Sequence, residues 1–118
     1  MKSEFVEYIL KDILHGIDGI SSRAMFGGYG IYKDKIIFGI IIDDVLYFKV
    51  GQNTLEDYKT QDSSPFIYDR GNKKQVIMSY WSIPEDILND EDLLQIWIEK
   101  AVKASLDSKK KKNLKING

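Results

Sequence analysis

A chain of 118 residues, 43% hydrophobic and 30% charged, has room for one globular domain with a core of its own. The absence of cysteine excludes a disulfide frame, a thiolate nucleophile and a Cys-ligated zinc, and fits a reducing cytoplasm. Net charge is −1 but unevenly placed: residues 1–99 carry 10 basic and 17 acidic side chains (−7), residues 100–118 carry 7 basic and 1 acidic (+6). The body should therefore repel a phosphate backbone and the last segment attract one.

The N-terminus has no apolar stretch of signal-peptide length, and the longest nearly apolar run, Ile36–Ile42, is too short to cross a bilayer. No membrane partner is expected, and the cytoplasm is the expected compartment. Ser3 is a candidate N-cap, with Glu4 and Glu7 suited to the positive end of a helix dipole. Phe5, Val6, Ile9, Leu10, Ile13, Leu14 and Ile17 recur at helical spacing, predicting a stripe laid on a sheet and ended by Gly16 or Gly19. His15, the only histidine, falls at that stop without a partner motif and reads as a helix-end residue facing water.

Short strands with tight turns follow. Ile20–Phe26 predicts a strand entering a glycine bend at Gly27, Gly28 and Gly30, and Tyr29–Lys33 a strand leaving it. Asp34-Lys35 and Asp43-Asp44 predict two-residue hairpin turns on either side of Ile36–Ile42, the second leading into Val45–Val50. Gly39 interrupts its strand and is expected to mark close packing by a helix or a partner. Both strands carry apolar residues on both faces, which calls for helices on both sides or for a second subunit, and hence a homodimer.

Asn53 or Thr54 should cap a short helix through Leu55, Tyr58 and Lys59, broken by Asp62-Ser-Ser-Pro65. Phe66–Tyr68 predicts a strand, Asp69 to Lys74 a polar hairpin loop, and Gln75–Ser82 the returning strand. Pro84–Asn89 predicts a short helical turn. Asp90 then caps a last helix whose buried stripe is Leu93, Leu94, Trp97, Ile98, Ala101 and Val102. The pattern fades from Ser105, predicting a single domain over 1–106 and a flexible lysine-rich tail over 107–118. The architecture expected is α+β: an antiparallel sheet of about five or six strands with the N- and C-terminal helices on one face.

Little in this pattern carries catalytic chemistry. Gly27-Gly-Tyr-Gly30 lacks the Lys-Ser/Thr of a P-loop and does not open a helix, so it reads as a bend. Asp43 and Asp44 supply turn geometry, with no further oxygen ligands at an informative spacing, so no metal site and no cofactor are expected. Arg23 is expected to clamp a carboxylate within the chain, a partner's anion being the alternative. Tyr29, Tyr32, Tyr47, Phe48, Tyr68, Tyr80 and Trp81 have the composition of a base-stacking platform, though aromatics at strand spacing more commonly build the core. Lys109, Lys110, Lys111 and Lys112 are the candidate nucleic-acid contact, weak and indifferent to sequence.

The runs RAMFGGYGIYKD, IIFGIIIDDVLYFKV and SSPFIYDRGNKKQVIMSYWSIPEDIL resemble, in that order, the N-terminal domain of the TfoX/Sxy proteins, regulators of natural competence in bacteria. The likeness spans Ile17 to Ala101. It implies structural roles for Arg23, Met25, Phe26, Gly27, Gly28 and Gly30 in the first block, for Tyr47 and Lys49 in the second, and for Pro65, Phe66, Tyr80 and Pro84 in the third. Full-length members of that family carry a second, helical C-terminal domain, for which the residues after Leu106 are expected to leave no room. The resemblance implies a regulator, not an enzyme, acting through protein contacts with the transcription machinery. The alternatives are a nucleic-acid-binding accessory protein using its basic tail, and a small enzyme whose reactive group the sequence does not reveal.

Overall fold

The computed structural model describes residues 3–25, 27–68 and 76–117. The first helix, α1 (Glu4–Tyr8), is capped as expected: the Ser3 hydroxyl accepts from the Val6 amide. It continues as a π-helical segment, Ile9–Ile13, in which the Leu14 amide donates to the Ile9 carbonyl at 2.9 Å. That five-residue step replaces α spacing, so the buried set is Val6, Ile9 and Leu14, while Ile13 is only half-buried. Of the two expected terminators, Gly19 takes the left-handed conformation (φ 79°) and Gly16 does not.

Six strands form one antiparallel sheet: β1 (Ile20–Met25), β2 (Gly28–Lys33), β3 (Ile36–Ile42), β4 (Val45–Lys49), β5 (Pro65–Tyr68) and β6 (Val76–Ser82). The spatial order is β1-β2-β3-β4-β6-β5, so the last strand returns between β4 and β5. Asp34-Lys35 and Asp43-Asp44 are two-residue turns with positive φ at both positions, the mirror-image geometry that matches strand twist. Phe26, residues 69–74, for which a hairpin loop is expected, and Gln75 lie outside the described residues.

A β-bulge lies opposite the Ile31/Tyr32 step, where Ile31 pairs with Gly39 and Tyr32 with Ile37. Phe38 is the extra residue, and it is fully buried. The bulge explains the missing alternation in Ile36–Ile42: Phe38 and Ile41 face the core, while Ile40 is buried outside the core cluster. Gly39 marks close packing by the neighbouring strand. A Cβ there would lie 2.9 Å from the Tyr47 carbonyl oxygen and 3.2 Å from the Phe48 ring, so it is the neighbouring strand that requires glycine. The space admits an edge-to-face contact between Phe38 and Phe48, centroids 5.4 Å apart.

The short helices α2 (Leu55–Lys59) and α3 (Glu85–Leu88) and the long α4 (Glu91–Asn117) complete the fold. Thr54 stands at the N-cap of α2, but its hydroxyl turns back, accepting from the Gly51 amide at 3.0 Å. Asp90 caps α4 through the Leu93 amide at 3.0 Å. Leu94, Trp97, Ile98 and Ala101 of α4 join Phe38, Ile41, Leu46 and Phe48 of the sheet in one core with Val6, Ile9 and Leu14. Tyr58 closes the α2 side against Trp97, ring centroids 4.4 Å apart. The helix α4 runs on through the lysine-rich segment to Asn117, and neither glycine nor proline interrupts it.

Candidate functional site

Residues paired across neighbouring antiparallel strands share a face. The register places Arg23, Gly30, Ile40, Tyr47 and Ser82 in one row across five strands, with Tyr32 beside Ile37 and Lys49 beside Tyr80 in flanking positions. None of these belongs to the core under the helices. They form the opposite face of the sheet, which also carries Met25 and Phe66.

The face is lined by large side chains lying on one another. Gly30 is buried because Met25, Ile37 and Tyr32 arch over it; a Cβ would come within 2.6 Å of the Met25 sulfur and 3.2 Å of Ile37 and Tyr32. The Tyr47 ring packs on Phe66, centroids 5.3 Å apart. Lys49 donates to the Ser79 hydroxyl and holds its ammonium 5.3 Å from the Tyr80 ring centroid, a cation–π geometry. Ile40 is thereby buried within the chain itself, although it lies outside the core under the helices. Met25, Tyr32, Ile37, Ile42, Tyr47, Phe66 and Tyr80 remain half-buried.

Parity divides the aromatic residues that the sequence grouped together. Tyr29, Phe48 and Trp81 pack on the helix side, whereas Tyr32, Tyr47 and Tyr80 stand on the open face. The strict two-residue period already required Tyr47 and Phe48 to point oppositely, and that signal separates platform from core. Burial, then the neighbouring Tyr32, raises the Tyr80 phenol pKa; burial, then Asp43, raises that of Tyr47. Both therefore stay neutral hydrogen-bonding groups at physiological pH.

Arg23 ends the row at the edge strand, and the other expected positions fall elsewhere. Arg23 is exposed, and among the described residues no ion pair joins it to a carboxylate. Gly27 (φ 75°) and Gly28 make the β1–β2 turn, and Gly28 packs so closely on β3 that a Cβ would overlap the Ile41 carbonyl oxygen. Pro65 opens β5 opposite Trp81, and buried Pro84 precedes α3. Lys109 and Lys110 are exposed on α4; Lys111 and Lys112 lie on the same helix, their side chains outside the description. His15 is exposed in the turn before β1. Among the described residues no cluster of three or more His, Asp or Glu is placed to hold a metal, and no helix is long and apolar enough to cross a membrane.

A six-stranded antiparallel sheet with helices on one side and a tyrosine-rich open face on the other defines a small α+β domain. The model of the TfoX N-terminal domain matches residues 12–105, and the chain belongs to that family. It is similar to the DNA transformation protein TfoX of Haemophilus influenzae, with 25% identity over 111 residues, covering 92% of this chain. The chain spans about half the length of that curated relative, 51%.

Proposed function

We propose that this domain is a non-enzymatic regulatory module of natural competence that contacts a protein of the transcription machinery through the open face of its sheet. The observation that supports this reading is the convergence of Met25, Gly30, Tyr47, Lys49, Phe66 and Tyr80 on a helix-free, half-buried surface. Tyrosines suit protein recognition because each offers a large apolar ring and one polar tip at the entropic cost of two torsions. The same phenols are poor general bases, since burial keeps their protons on. The only histidine stands apart from this face, in the turn before β1.

The test uses a bacterial strain in which competence-gene transcription depends on the protein. Tyr47→Glu and Tyr80→Glu should each abolish reporter induction while leaving the far-ultraviolet circular dichroism of the purified protein unchanged. Glu99→Lys, on the exposed side of α4, should not. A photo-crosslinking amino acid at position 47 should capture RNA polymerase or a DNA-binding activator. Full induction by both folded glutamate variants would place the contact on another surface.

A further inference from the structure

We propose that the cleft between the end of β4, the loop into α2 and the middle of α4 binds the phosphate backbone of a nucleic acid. The cleft is open, about 680 Å³ in volume, and among the described residues its walls carry Lys49, Lys100, Lys103 and Lys110 against a single carboxylate, Asp107. The rest of its lining is small or neutral and polar, with Asn53, Thr54, Ser79 and Ser108 among it. On a helix, positions 100, 103, 107 and 110 fall along one face, so the fold turns three dispersed lysines into a line beside a fourth from the sheet.

The states of these lysines differ. Lys49 is held by the Ser79 hydroxyl and the Tyr80 ring, fixing one charge at the inner wall. Lys100 pairs with Asp57 at 3.2 Å, but both side chains are nearly half exposed, so a phosphate can take over that ammonium. Lys103 and Lys110 are exposed and make no ion pair with a described residue; Asp107, between them, bonds to neither.

Dimensions and chemistry select the ligand. Lys100 to Lys110 spans about 15 Å along the helix, longer than one phosphate group needs and matched to several successive phosphates of a strand. Among the described residues no aromatic side chain lines the cleft, which favours contacts to the backbone over base stacking. With residues 1–99 at −7, the protein repels a polyanion elsewhere and presents this edge to it. The site differs from the lysine run: Lys109 lies about half a turn round the helix from Lys100 and does not line the cleft.

The experiment is fluorescence anisotropy of a labelled 20-base-pair DNA duplex and its single strand, titrated with the full chain between 50 and 200 mM KCl. Wild type should bind both without sequence preference. The variant carrying Lys103→Glu and Lys110→Glu should lose about tenfold or more in affinity, with the log–log salt slope on duplex reduced by about two. Lys109→Glu should weaken binding by less than about twofold. Circular dichroism melts confirm that each variant is folded. Absence of wild-type binding at 50 mM KCl overturns the proposal. So does an equal loss with Lys109→Glu, which would mean diffuse charge at the helix end. Displacement of the DNA by inorganic triphosphate at equal phosphate concentration also overturns it, because the site would then be one for a small anion.

Discussion

Gly27 and Gly28 are adjacent, yet each requires glycine for a different reason. Gly27 sits at φ 75° with open space where a Cβ would go, so alanine there should cost only backbone strain, about 1 kcal/mol. Gly28 has an ordinary φ, but its Cβ would overlap the Ile41 carbonyl oxygen, and backbone on β3 cannot step aside as a side chain tip can. Gly28→Ala should therefore cost about 2 kcal/mol or more. Asparagine, which tolerates the left-handed region, should recover part of the loss at 27 and none at 28; urea unfolding midpoints of the four variants check this. Tyr58 makes a second prediction at this scale. Burial against Trp97, with Asp57 adding, raises its phenol pKa far above the usual value near 10. The folded state holds that proton more tightly, so the contribution is complete below about pH 10 and is lost as pH rises beyond it. Tyr58→Phe should move the alkaline unfolding midpoint upward with little change at pH 7. An unmoved midpoint in a circular dichroism titration would show that another group governs alkaline unfolding.

The elements were legible where local chemistry decides them and obscure where tertiary packing does. Ser3, Asp90 and the two acidic turns could be read directly, because a cap or a two-residue turn is fixed by a few neighbouring atoms. The π-helical step at Ile9–Ile13 and the bulge at Phe38 could not, since each shifts the hydrophobic period by one residue to suit the facing surface. The open face was half legible: parity separates Tyr47 from Phe48, but only the return of β6 beside β4 brings Tyr80 next to Lys49. The basic cleft was hidden in the same way, as Lys49 and Lys103 are far apart in sequence and meet only through the packing of α4. Two measurements belong here. Lys35 holds φ 71° in an exposed turn position that glycine adopts freely, so Lys35→Gly should stabilise the β2–β3 hairpin by about 0.5–1 kcal/mol. Asp90→Ala removes the α4 cap and should cost about 1 kcal/mol; the thermal midpoints of both variants, shifted in opposite directions, check the pair.

For the whole molecule, the sheet's two faces and its charge divide the surface into regions that meet at Lys49. The helix-covered face supplies the core, the open face offers neutral tyrosines, and the far half of α4 carries the positive charge. A homodimer through the open face then becomes a question of area. The four strands β2, β3, β4 and β6, about 4.8 Å apart and about five residues long at 3.3 Å each, present roughly 300 Å². A standard stable interface takes about 800 Å² from each partner, and much of this face is already covered by its own Met25, Tyr32 and Ile37. Self-association through these strands alone should thus be weak: monomer at low micromolar concentration, with mass rising only well above it. Light scattering coupled to size exclusion over a dilution series measures this directly. Val45, 36% exposed on β4, tests the surface, since Val45→Lys should suppress whatever association appears without unfolding the chain. A dimeric mass that survives dilution to low micromolar and is broken by Val45→Lys would mean that the occupant of this face is a second copy of the chain. The glutamate variants of Tyr47 and Tyr80 would then act on the dimer first and on transcription only through it.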